Sequence, residues 1–103
     1  MDRDRVIAIL REAQDRLVAQ GVVHVALFGS TARGEAGPGS DLDLMVQIDP
    51  SRQIGVFEYV GVVQFLESLF SERVDFGRVD VSNVSAQKPE VRATAARDAV
   101  YAF

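Results

Sequence analysis

Two aspartates, Asp41 and Asp43, stand two residues apart in a segment that alternates cleanly, Asp41-Leu42-Asp43-Leu44-Met45-Val46-Gln47-Ile48. On a β-strand this spacing sends both carboxylates to one face, with Cα atoms about 6.6–6.8 Å apart. Such a pair repels itself at neutral pH, and a half-buried strand solvates neither acid well. A divalent cation offsets that cost, and hard magnesium favours carboxylate oxygens together with phosphate oxygens and water. Alternation alone suits two acids on the solvent face of an edge strand equally well. Upstream, however, Gly29-Ser30 directly follows the apolar run Val22–Phe28. Glycine lets a ligand approach the backbone, and serine offers a hydroxyl and an N–H, so this turn suits a phosphate group. A Gly-Ser turn after one strand and an Asp-x-Asp pair on the next together point to a metal and polyphosphate site.

Several elements must position these groups. Val6, Ile9, Leu10, Ala13 and Leu17 recur at three- and four-residue spacing, so residues 3–20 read as a helix closed by Gly21. Val22-Val23-His24-Val25-Ala26-Leu27-Phe28 reads as a strand buried on both faces. Residues 29–40 hold four glycines and a proline and form a loop, with room for one helical turn after Ser30. Asp49-Pro50-Ser51 turns the chain out of the second strand. Residues 53–71 read as a helix with Val56, Val60, Val63 and Phe70 on one stripe, widened by Phe57, Leu66 and Leu69. A third strand is expected over 74–79, and a last helix from Lys88-Pro89-Glu90 to Ala99, ahead of an apolar tail. The order implies a single α/β (α+β) domain over 1–103. Its expected architecture is a small mixed sheet of three to four strands with helices packed on one face. The link between the first two strands is too irregular for a doubly wound unit.

Composition narrows the chemistry. Eleven lysines and arginines against 15 aspartates and glutamates leave a net charge of −4, which argues against a domain held directly to nucleic acid by phosphate neutralisation. Cysteine is absent, which excludes disulfides, a thiolate zinc site and a cysteine nucleophile. The apolar-rich run from Ile54 to Phe70 is too polar for a bilayer span, so no membrane association and a cytoplasmic location are expected. His24 lies among apolar residues and reads as a core or edge histidine rather than a ligand.

Gly29-Ser30, Arg33-Gly34 and Ser40-Asp41-Leu42-Asp43-Leu44 together resemble the signature of the DNA polymerase β-like nucleotidyltransferase superfamily. The fuller form of that signature is Gly-Ser-x-x-Arg-Gly followed by Ser-Asp-x-Asp-Leu. The short chain is similar to the minimal nucleotidyltransferase branch, often antitoxins paired with HEPN-domain toxins. The resemblance implies that Gly29 and Ser30 hold the β,γ-phosphates of ATP, flanked by Arg33 and Ser40. It also implies that Asp41 and Asp43 bind two Mg2+ ions. A third acid is implied on a neighbouring strand. Asp75 in Arg73-Val74-Asp75-Phe76 matches it best, and Asp80 in Val79-Asp80-Val81 is its competitor on the opposite strand face. Arg33 either reaches the triphosphate or pairs with Glu35 or Asp41 to shape the loop.

Two main functions follow, with a third beside them. One is a magnesium-dependent nucleotidyltransferase that moves AMP from ATP to a hydroxyl, a tyrosine by resemblance, on a partner HEPN toxin. With no room for an acceptor-binding domain, a partner protein brings the acceptor. The other is an antitoxin that neutralises its toxin by binding alone. A nucleotidyltransferase with an unrelated acceptor is the third possibility.

Overall fold

The computed structural model describes residues 3–35, 39, 41–71, 79–83 and 99–103. Among the described residues eight elements follow one another: α1 (Arg3–Glu12), α2 (Gln14–Ala19), β1 (Val22–Leu27), α3 (Gly29–Ala32), β2 (Leu42–Ile48), α4 (Val56–Phe70), β3 (Val79–Asn83) and β4 (Val100–Tyr101). The run 3–20 is thus two helices rather than one. At Ala13 the backbone opens to φ −93° and ψ 4°. Hydrogen bonding nevertheless continues across the break, with Ala13 N–H reaching the Ile9 and Leu10 carbonyls at 3.3 and 3.1 Å. The apolar stripe therefore survives, and Val6, Ile9, Leu10, Ala13 and Leu17 are all buried.

The four strands form one mixed sheet in the order β3-β2-β1-β4. β1 runs antiparallel to β2 and to β4, while β2 and β3 are parallel. A parallel pair needs a crossover, and α4 supplies it. Val25 and Leu27 of β1, Leu42, Leu44, Val46 and Ile48 of β2, and Val79 of β3 pack with α1, α2 and α4 in one apolar cluster. Alternation sends Ala26 and Met45, which are register partners, to the other face together with Asp43. β1 is buried on both faces only in its second half. Val23 and His24 are exposed, because the register slips between Val22 and His24 and β4 pairs only with Ala26 and Leu27. His24 lies at this edge, its Nδ1 3.2 Å from the Phe103 carbonyl oxygen.

Phe70 and Leu66 of the stripe expected for α4 are buried, but its N-terminal members Val56, Phe57 and Val60 are exposed. Val62, Leu66 and Phe70 are fully buried, whereas Val56 and Phe57 are 77% and 90% exposed. The helix is apolar almost all round, so its sequence offers little contrast from which to read the buried side. Burying side chains the size of Leu66 and Phe70 stabilises the domain by roughly 1.5–3 kcal/mol each. Of the strand expected over 74–79, only Val79 lies within the described residues, and there it opens β3. The helix expected over 88–99 lies outside them except for Ala99. The apolar tail forms β4 and adds the fourth strand.

Candidate functional site

The site is built where β1 runs out beside the start of β2. The ladder continues one residue past β1, with Phe28 N–H donating to the Asp43 carbonyl at 3.2 Å. The next residue, Gly29, takes φ +63° and turns the chain into α3. A Cβ at Gly29 would stand 2.9 Å from Asp43 Oδ2. Both facts demand glycine: the left-handed conformation is costly for other residues, and the carboxylate fills the space a side chain would need. The turn is then closed by Arg33 N–H to the Gly29 carbonyl at 3.3 Å and Glu35 N–H to the Ser30 carbonyl at 2.9 Å. From α1, Arg3 Nη1 donates to the Ala32 carbonyl at 2.8 Å and ties the end of α3 to the helical layer.

Asp43 is half-buried on β2, and Asp41 is exposed immediately before the strand. The two-residue period keeps them on the face opposite the helices. On β3, Asp80 is the register partner of Asp43. In a parallel ladder, register partners project to the same face, so the position beside Asp43 belongs to the acid the sequence ranked second. Asp75 and Ser40 lie outside the described residues. Ser30 stands on α3 one residue after Gly29. Arg33 forms an ion pair with Glu35, Nε to Oε2 2.9 Å, with both side chains more than half exposed.

Thr31 belongs to the site and was missed by the sequence reading. It is only 2% exposed, and its Oγ1 accepts a long hydrogen bond of 3.4 Å from Asp43 N–H. A β-branched hydroxyl residue just after Gly-Ser was the available signal. Among the described residues no three His, Asp or Glu side chains gather closely enough to hold a cation unaided. Magnesium is commonly bound by one or two carboxylates completed by substrate phosphates and water, and the pair Asp41 and Asp43 beside a glycine-cleared turn fits that donor set.

The far end of β2 is different in kind. A cleft of about 440 Å³ lies there, lined mainly by apolar groups from the β2–α4 loop and the first turns of α4. Asp49 at its edge is held below the ordinary carboxylate value, first by the Ser51 hydroxyl and then by the Ser51 N–H, which donate to Oδ1 at 2.7 and 2.9 Å. Burial pushes the Tyr59 phenol up. Asp43 and Ile48 are five residues apart, about 17 Å along the strand, so this cleft is separate from the acids.

The chain as a whole is similar to known proteins. The family described as nucleotidyltransferase domain matches residues 6–101. MJ1379 of Methanocaldococcus jannaschii, to which protein adenylyltransferase activity is ascribed, is 34% identical over 78% of this chain and 76% of its own. The protein adenylyltransferase MntA of Thermococcus cleftensis is 31% identical over 79% and 75%. A solved minimal nucleotidyltransferase superposes with a TM-score of 0.77 at 31% identity, covering 97% of this chain and 95% of that one. A toxin–antitoxin structure containing AMP-PNP shares the fold, with a TM-score of 0.63 at 17% identity over 100% and 73%.

Proposed function

This chain belongs to the nucleotidyltransferase domain family, and from that premise we propose that it transfers AMP from ATP to a hydroxyl, a tyrosine, of a partner HEPN toxin and acts as its antitoxin. The close approach of Gly29 to Asp43 supports the reading most directly, because it leaves a carboxylate and a bare backbone turn side by side. Asp41 and Asp43 would hold two magnesium ions, with the triphosphate completing the coordination. When bound, magnesium supplies charge neutralisation on the phosphates and acidifies the acceptor hydroxyl.

The remaining work falls to the chain. The Ser30 hydroxyl and the backbone at Gly29 bind the β,γ-phosphates, and Ser40 flanks them. Arg33 is released from an exposed ion pair, worth at most about 1 kcal/mol, to meet a phosphate. Asp80, beside Asp43 in register, takes the proton of the attacking hydroxyl. The acceptor oxygen bonds to the α-phosphorus as the bond to the bridging oxygen breaks, and pyrophosphate leaves. Relatives named as protein adenylyltransferases and a toxin–antitoxin structure with AMP-PNP support the substrate and the partner.

The test combines this protein with magnesium, ATP labelled on the α-phosphate and the toxin encoded beside its gene. Label should move to a tyrosine of the toxin and fail to move with Asp41→Ala/Asp43→Ala. Neutralisation retained by the double variant, with no label moved by the parent protein, would leave an antitoxin that acts by binding.

A further inference from the structure

A second surface lies at the opposite end of β2 from the acids. Ile48, Pro50, Ile54, Val56, Tyr59 and Asn83 line the cleft of about 440 Å³ there. Its rim continues onto Phe57 and Val60, and Val56, Phe57 and Val60 are 77%, 90% and 43% exposed. Large apolar side chains scattered singly on a surface need no explanation, but three on adjoining positions of one helix beside an apolar cleft do.

The charges around this patch indicate what covers it. α4 contains Glu58 and Glu67 and no lysine or arginine, and Asp49 stands at the mouth of the cleft. Among the described residues, the cation lining it is Arg52. Its guanidinium is held on the end of α2, with Nη1 donating to the Val18 carbonyl at 3.0 Å and Nη2 to the Ala19 carbonyl at 2.9 Å, and its charge acts on Asp49 more weakly than the Ser51 hydrogen bonds do. Among the described residues the apolar stripe is therefore rimmed by a net negative charge, carried by Glu58 and Glu67. A second copy of the chain would bring the same acidic patch against itself, which opposes self-pairing. A partner with basic residues beside its apolar stripe is the complementary match.

We propose that the cleft and the exposed stripe Val56, Phe57 and Val60 form a docking surface for a partner protein that presents an amphipathic helix flanked by lysine and arginine. The partner's apolar side chains enter the cleft beside Tyr59, and its basic groups meet Asp49 and Glu58. Phe57 is the anchor that loses most water on docking. Because this surface is about 17 Å along β2 from Asp43, docking does not cover the acids. The inference is independent of the AMP-transfer reading.

The probe is a designed leucine/lysine amphipathic helix, titrated into the isotopically labelled full chain and followed by amide chemical shifts. Controls are a leucine/glutamate helix and a leucine/lysine peptide scrambled to remove the stripe. The expected result is saturable binding of the leucine/lysine helix alone, with shifts centred on residues 48–60, weakened about tenfold or more by Phe57→Ser. Phe57 is exposed, so the variant should keep the parent circular dichroism spectrum. Equal binding of the scrambled peptide, shifts centred on Asp41 and Asp43, or affinity unchanged by Phe57→Ser would each overturn the proposal. So would a concentration-dependent dimer in sedimentation that Phe57→Ser dissolves, since the occupant would then be a second copy. None of these readings requires ATP, so failure here leaves the transfer reaction untouched, and the reverse also holds.

Discussion

Gly29 and Asp43 approach so closely that a methyl group on the glycine would stand 2.9 Å from the aspartate Oδ2. The contact is prepared from both sides: Phe28 N–H is bonded to the Asp43 carbonyl, and Gly29 adopts a left-handed φ of +63°. Backbone turn and carboxylate thus share one small volume, which neither residue could create alone.

Gly29→Ala should damage stability and function together. The left-handed backbone costs a side-chain-bearing residue roughly 1–2 kcal/mol, which a thermal melt will show. The new methyl also displaces the Asp43 carboxylate, and a shift of that kind in a reacting group is expected to lower AMP transfer by about 10²-fold. A variant with parent transfer rates would show that the approach has no part in the reaction.

Asp80 should behave as an acid retained against its own stability cost. As the register partner of Asp43 it lies beside a like charge across the ladder, which is unfavourable. Asp80→Asn should therefore melt near the parent temperature in chelator, whereas with magnesium and ATP present its transfer should fall by about 10²–10⁴-fold. Asp75→Asn should leave transfer near the parent level. The opposite pattern would return the third carboxylate to Asp75.

Much of this site was legible because its signals are local. Gly29-Ser30 and Asp41-Leu42-Asp43 are fixed by spacing within one turn and one strand, and the strand alternation already placed Leu42, Leu44, Val46 and Ile48 inward. What was lost depended on tertiary neighbours. The buried side of α4 was legible only at Leu66 and Phe70, because Val56, Phe57 and Val60 are as apolar as Val62. The place of Asp80 beside Asp43 could not be read because alternation gives a face only after pairing is known, and the pairing runs from Leu42–Val79 to Val46–Asn83. β4 escaped notice because two residues carry no period.

Asp49 links the turn after β2 to pH. The Ser51 hydroxyl and N–H favour its charged form and hold it below the ordinary value of 3.8. A depressed folded-state value means that this carboxylate adds stability above the unfolded value and loses it as pH falls through the folded one. Carboxyl chemical shifts followed by NMR should show Asp49 titrating below an ordinary aspartate. Ser51→Ala should move it upward and flatten the acid limb of the stability profile. An unmoved midpoint would remove Ser51 as the cause.

Arg33 and Glu35 decide whether the loop's guanidinium binds or only braces. Their ion pair is 2.9 Å long, but the side chains are 55% and 64% exposed, so its contribution to stability is at most about 1 kcal/mol. If Arg33 leaves Glu35 for a phosphate oxygen, it exchanges a weak pair for a charge-assisted hydrogen bond of about 1.5–3 kcal/mol. Arg33→Gln should then raise the KM for ATP about 10- to 100-fold with a nearly unchanged melting temperature. Glu35→Gln, which frees the guanidinium, should lower that KM. Under the bracing role the two variants would instead match, each losing a little stability and neither changing the KM, since both break the same contact. Steady-state transfer with each variant, run beside its thermal melt, separates the two outcomes.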